Sequence, residues 1–197
     1  MLRRVTDAGF YGIHRLQFIR IDHALISALV ERWRPETHTF HLAVGEATIT
    51  LQDVQVLLGL RVDGDAVTGV DIRPSPRLFL DTLGRIPDAE FVKGRKLRMS
   101  WLDTHFSEVP DDADADVIDQ YARAYILEML GGALFPDKSR TLVKCIYLPL
   151  LSDLDMTSRY SWGSAALAFL YREMCKAAMS ARVSDIGGPM VLSLIHI

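Results

Sequence analysis

Cysteine is almost missing from this 197-residue sequence: only Cys145 and Cys175 occur, thirty positions apart. That is neither a disulfide framework nor a Cys-x-x-Cys pair for metal or redox work, and it fits reduced, buried thiols. Long apolar runs are missing too, none approaching the ~18 residues that a bilayer-spanning helix needs. The sequence opens Met1-Leu-Arg-Arg, but no apolar run of signal-peptide length follows, because Thr6, Asp7 and His14 interrupt it. Positive charge is in short supply, with 22 Lys and Arg against 25 Asp and Glu and a net charge of −3. No global field therefore draws the chain onto nucleic acid or an anionic membrane, and any such contact must be local.

What is present is the composition of a globular protein: 49% hydrophobic and 24% charged residues. A chain of this length can bury a substantial core. No internal repeat and no flexible linker divides it, so one domain over 1–197 is expected.

The first clear element begins at Asp22, a good N-cap, where Leu25, Ile26, Leu29, Val30 and Trp33 follow at helical spacing. Pro35 disfavours a helical Arg34 and closes the helix. Over residues 37–51 the period changes from 3.6 to 2. A Gly45-Glu46 turn predicts a small antiparallel hairpin pairing Val44 with Ala47, Leu42 with Ile49 and Phe40 with Leu51, all on one face. Thr50 and Asp53 then have capping-box spacing, and Gly59 suits a left-handed helix end with Leu60 behind it. Further helices are expected around Phe79–Leu83, Leu97–Phe106 and Asp114–Leu130, the last stopped by Gly131-Gly132. The final helix starts near Ser161. An apolar stretch through Ile146, Tyr147, Leu148 and Leu150 lies between them. The fold class is mainly α: a single helical domain with one hairpin.

Several of these strings carry a resemblance. Glu31-Arg-Trp-Arg-Pro-Glu-Thr-His-Thr-Phe-His41, Gly45-Glu46, Thr48-Ile-Thr-Leu51, Asp53-Val54 and Leu57-Leu-Gly-Leu60 resemble the plant mobile domain. Tyr121-Ala-Arg-Ala-Tyr125, Gly131-Gly132, Leu134-Phe-Pro-Asp137 and Tyr160-Ser-Trp-Gly-Ser-Ala165 resemble its second half. The match runs from about Gly9 to Pro189. It departs from the family pattern at Ala43 and Arg61, where prolines are usual. Val191-Leu-Ser-Leu-Ile-His-Ile197 also lacks the Trp-containing continuation, so the domain is expected to be cut short at its C-terminus.

This family occurs in maintenance-of-meristems-like proteins, in long-form relatives of a plant serine/threonine phosphatase and in transposable elements. The resemblance implies a nuclear protein linked to transposon silencing, gene expression and meristem maintenance. It implies action through a protein partner, a phosphatase-like one included; it implies no known reaction, and no cofactor is expected.

The label "aminotransferase-like" sometimes attached to the family can be tested on the residues. A pyridoxal-phosphate enzyme needs a Schiff-base lysine, an acidic partner for the ring nitrogen and a phosphate cup. None of Lys93, Lys96, Lys138, Lys144 and Lys176 follows a Gly/Ser-rich loop at a strand end. His38 and His41, three apart on a strand, point to opposite faces and do not share an ion; His38 reads as a packed edge histidine, His41 as a surface group. Asp112-Ala-Asp-Ala-Asp116 begins like a calcium loop but has Val117 at its sixth position and Arg123 at its twelfth. An acidic start to the following helix explains it better. Ser161-Trp-Gly-Ser164 lacks the Gly-x-Ser-x-Gly of a nucleophile elbow, so Ser161 reads as an N-cap and Gly163 as a close-packing residue. No phosphatase metal motif is visible.

One binding candidate remains: Lys93, Arg95, Lys96 and Arg98, flanked by Phe91 and Trp101. Four charges in six residues can grip phosphates while an aromatic ring stacks on a base. The alternative to a protein-interaction module is therefore a nucleic-acid-binding module retained from a transposable element.

Overall fold

The computed structural model describes residues 1–16, 22–69 and 73–179. The C-terminal end of the match and residues 191–197 lie outside them. Two short helices, α1 (Leu2–Asp7) and α2 (Tyr11–Arg15), precede α3 (His23–Arg32). Asp22 caps α3 as expected, its carboxylate accepting from the backbone N–H of Ala24 and Leu25.

α3 ends at Arg32, and the next two residues become a strand, β1 (Trp33–Arg34). The cause is Pro35, which holds Arg34 extended. The freed backbone pairs with β2 (Thr39–Leu42), which pairs in turn with β3 (Gly45–Ala47). The expected hairpin is thus two strands of a three-stranded antiparallel sheet. Its register differs from the expectation: Phe40 lies opposite Ala47, His41 opposite Glu46 and Leu42 opposite Gly45. The connection is Ala43-Val44, and Gly45 takes a φ of +135° on leaving it, a conformation that glycine adopts without steric cost.

Thr50 then caps α4 (Leu51–Leu58) through a complete capping box with Asp53, and Gly59 ends it at φ +62°. α5 (Pro76–Leu83) is capped by Ser75. A second three-stranded sheet, absent from the expectations, follows: β4 (Val92–Lys93), β5 (Lys96–Arg98) and, from much later, β6 (Leu142–Lys144). The helix expected from Leu97 therefore begins only at Met99, as α6 (Met99–Phe106).

α7 (Ala115–Met129) is capped by Asp114, whose carboxylate accepts from the Val117 N–H at 2.9 Å. It is not stopped by Gly131-Gly132. The chain continues through one π turn, Leu130–Leu134, closed by the Phe135 N–H on the Leu130 carbonyl. Gly131 serves packing there: a Cβ would sit 2.7 Å from Val143 Cβ and 2.9 Å from Met99 Sδ. After β6 comes a 3-10 run, Cys145–Leu151, then α8 (Leu154–Thr157) and α9 (Trp162–Ala178). Ser161 stands at the N-cap position of α9, but its hydroxyl donates to the Asp65 carbonyl instead of capping.

The core is one continuous cluster around three fully buried tryptophans. Trp33 meets Phe40 edge-on at 5.0 Å and donates its indole N–H to Cys175 Sγ at 3.3 Å. Trp162 meets Phe10 at 5.3 Å and donates to the Thr157 carbonyl. Each such ring hides ~150–250 Å², so these contacts dominate the packing of α9 against the N-terminal half. Among the described residues no helix is long and apolar enough to cross a membrane.

Candidate functional site

The second sheet rearranges the basic segment. Directly opposed residues of antiparallel strands project to the same side. Lys93 is opposite Lys96, and Lys96 is opposite Lys144, so three lysines form a row across β4, β5 and β6. The next row, Val92, Leu97 and Val143, has the other orientation, and its Leu97 and Val143 are buried in the core. Like charges directly opposed on a sheet are unfavourable. The conflict is eased by Asp137, whose Oδ2 accepts from Lys96 Nζ at 3.1 Å. Burial alone would raise the Asp137 carboxyl, but hydrogen bonds from Ser139 and Lys96 outweigh it and hold it below the usual carboxylate range.

The four sequence-predicted residues therefore do not act as one patch. Lys93 is exposed; Lys96 is half-buried and paired with Asp137. Arg98 is half-buried, and its Nε donates to the Glu90 carbonyl at 3.2 Å. Arg95 is exposed at the turn, where its carbonyl accepts from the Cys145 N–H. Phe91 packs partly against the core and Trp101 is fully buried, so Trp101 presents no stacking face to solvent. Lys144, almost fifty residues away in sequence, joins the row only through the fold.

Lys144 also lines a groove of about 270 Å³. Its walls are Phe135, Tyr147 and Phe169, with Ile146, Val67, Ala165 and Ala168 completing the apolar lining and Arg172 on the rim. Phe135 is stacked on Tyr147 at 5.2 Å and meets Phe169 edge-on at 5.5 Å. The Arg172 guanidinium lies 5.0 Å over the Phe169 ring, a cation–π arrangement that leaves its outer side toward solvent. Burial pushes the Tyr147 hydroxyl well above its ordinary range, so that group stays neutral. A larger concavity of about 410 Å³ lies between Trp33–Glu36 and the end of α9, but its wall reaches Met179, the last described residue.

The histidines are separated. His38 sits in a turn at φ +54°, outside any strand, and stacks on Tyr171 at 5.2 Å, while His41 faces Glu46 with 3.8 Å between Nδ1 and Oε1. Among the described residues no group of three His, Cys, Asp or Glu side chains converges on a metal-sized space. One titratable cluster escaped the sequence reading. His14 Nδ1 lies 2.9 Å from the Tyr125 hydroxyl, and one turn further along α7 burial and the Asp103 charge push Glu128 up to about 7. That carboxyl can hold a proton near neutrality, yet it lines neither of the two concavities described above.

With this geometry in hand, comparison with known proteins places the chain. The plant mobile domain model matches residues 9–195. The chain is 48% identical over 190 residues to a serine/threonine-protein phosphatase 7 long form homolog of Arabidopsis thaliana, covering 96% of this chain and 14% of that protein. It is 42% identical to the protein MAIN-LIKE 2 of the same plant, covering 93% of this chain and 27% of that one. To MAINTENANCE OF MERISTEMS, also from Arabidopsis thaliana, identity is 41%, covering 95% and 39%. The chain thus spans well under half the length of these curated relatives. No solved structure matches it.

Proposed function

Because this chain belongs to the plant mobile domain family, we propose that it is a non-enzymatic nuclear interaction module that docks a protein partner, a phosphatase-like one included. In that role it serves transposon silencing, gene expression and meristem maintenance. The observation that carries the reading is the groove of Phe135, Tyr147 and Phe169 beside the lysine row, an apolar concavity with cations at its edge on a tightly packed body. Such a site recognises a surface; it offers no nucleophile–base pair. The modest share of each relative that the chain covers supports a unit working beside other domains.

The test is reconstitution. Purified chain is mixed with the Arabidopsis phosphatase 7 long form homolog, and the mass of the product is measured by light scattering after size exclusion. A stoichiometric complex is expected. Two separate species at micromolar concentrations would sink the phosphatase-like partner. Hydrolysis of p-nitrophenyl phosphate that vanishes in a single-residue variant would overturn the non-enzymatic part.

A second reading, nucleic-acid contact through Lys93, Arg95, Lys96 and Arg98, is favoured by the row that sets Lys93, Lys96 and Lys144 side by side. Its affinity should fall steeply with salt and be abolished by Lys96→Glu with Arg98→Glu. Binding indifferent to both would exclude it.

A further inference from the structure

We propose that Ser75 is a modification site, the phosphoacceptor for a proline-directed serine kinase. This goes beyond the interaction-module reading and does not depend on it.

The sequence singles the residue out. Of the eight prolines, only Pro76 follows a serine or threonine. A kinase cleft with no acceptor for the residue after the hydroxyl favours proline there, because proline brings no N–H to be left unpaired. The stretch Arg73-Pro-Ser-Pro-Arg77 carries two arginines and no carboxylate.

The backbone already has the shape a kinase cleft takes. Pro76 keeps Ser75 out of the helical region, and Ser75 is extended at φ −84° and ψ 153°. Arg73, Ser75, Pro76 and Arg77 are all exposed, while Pro74 is buried and anchors the segment from beneath. The acceptor can therefore enter a cleft without α5 unwinding.

The hydroxyl is also unusually free. Ser139, Ser152, Ser158, Ser161 and Ser164 each donate their O–H to an acceptor in the fold. Ser75 Oγ instead accepts, from the Leu78 N–H at 3.2 Å, and its proton has no acceptor among the described residues. A serine cap before a first-turn proline opens many unmodified helices. What distinguishes this one is the unengaged O–H on an exposed, extended segment. Arg73 is in no ion pair among the described residues, whereas Arg77 pairs with Asp81 at 3.3 Å. Arg73 is thus the cation at hand for a phosphate two residues on.

In the transfer, Ser75 Oγ attacks the γ-phosphorus of a nucleoside triphosphate held by the kinase. The new Oγ–P bond replaces the bond to the bridging oxygen, the nucleoside diphosphate leaves, and the hydroxyl proton passes to the kinase's catalytic carboxylate. The product carries a charge of about −1.5 to −2, which offsets the two flanking arginines and recharges this face.

The experiment incubates the native chain with magnesium ATP and, in parallel, a purified mitogen-activated kinase and a purified cyclin-dependent kinase. Intact mass and peptide mapping read the product. One phosphate on Ser75 is expected from at least one of the two. Ser75→Asn keeps a capping side chain without a hydroxyl, and should take up no phosphate there with unchanged circular dichroism. Pro76→Ala should slow the transfer at least about tenfold.

A peptide of residues 68–82 is run alongside. Modification of the peptide but not of the native chain would overturn the proposal, because the fold would then withhold the site. Failure of both, or phosphate elsewhere with Ser75 bare, would overturn it as well. An unchanged rate for Pro76→Ala would refute the proline-directed assignment.

Discussion

Arg4 grips Asp119 with two prongs across 115 residues of sequence: Nε donates to Oδ1 at 2.6 Å and Nη2 to Oδ2 at 2.9 Å. Its remaining nitrogen reaches Asp155 Oδ1 at 2.9 Å, so one guanidinium ties α1 to both α7 and α8. The hydrogen bonds it donates to these carboxylates hold Arg4 even further above its ordinary range. Such two-pronged geometry is specific to arginine. Arg4→Ala should therefore cost about 1–2 kcal/mol in urea unfolding, and Arg4→Lys should recover less than half of it. Full recovery by lysine would mean that charge alone mattered.

Gly12 is fixed by space. A Cβ there would stand 2.1 Å from the Leu58 carbonyl oxygen and 2.9 Å from Gly59 Cα, where α2 crosses the left-handed end of α4. Neither obstacle is a side chain that can swing away. Gly12→Ala should cost about 2–3 kcal/mol, read as a fall in Tm. Gly132→Ala, with nothing within 4 Å of the new methyl, is the control and should change stability by less than about 1 kcal/mol. Equal effects in the two variants would refute the close approach.

The first sheet's register makes opposite demands on two neighbouring apolar residues. Phe40 is buried against Trp33, while Val44 at the turn is 96% exposed. Val44→Asn is expected to stay within about 0.5 kcal/mol of wild type, whereas Phe40→Ala should lose about 3–5 kcal/mol. The register with Gly45-Glu46 in the turn would put Val44 on the core face. A loss above about 1.5 kcal/mol for Val44→Asn would favour that arrangement.

This register also shows what could be read from residues alone. Alternation has a period of two, so it detects a one-residue slip but is blind to an even one. Moving Phe40's partner from Leu51 to Ala47 is such an even shift. The decisive signal was nearby: Thr50 and Asp53 form a helix cap, so Leu51 belongs to α4 and cannot also serve a strand. Caps at Asp22 and Thr50 were legible because a cap is written within four residues. The second sheet was not, because β6 joins it from more than forty residues away. For the same reason Lys144 carried no local hint of its place beside Lys96, and the groove it borders could not be found from spacing.

Cys145 is buried among apolar neighbours, and that burial pushes its thiol up to about 12. The thiolate is the reactive form, and almost none is present at pH 8. In the native chain, iodoacetamide should modify Cys145 at least about a hundredfold more slowly than in urea-unfolded protein, as read by peptide mass spectrometry. Comparable rates in the two states would mean that β6 and the run after it open readily.

Glu128 gives stability a pH dependence whose sign is fixed by its environment. Burial, with the Asp103 charge adding to it, raises its folded-state carboxyl from 4.5 to about 7. The folded state thus binds a proton that the unfolded state has already released between those values, and stability falls as pH rises through the window. Below about pH 4.5 both states are protonated and the penalty is absent; above about pH 7 it is complete. Glu128→Gln removes the charge while keeping the shape. Relative to wild type, it should gain stability progressively between pH 4.5 and 7 and hold a constant advantage of about 1–3 kcal/mol above. Denaturant midpoints across this range measure it directly. A wild-type minus variant difference that stays flat with pH would show that Glu128 ionises freely in the fold.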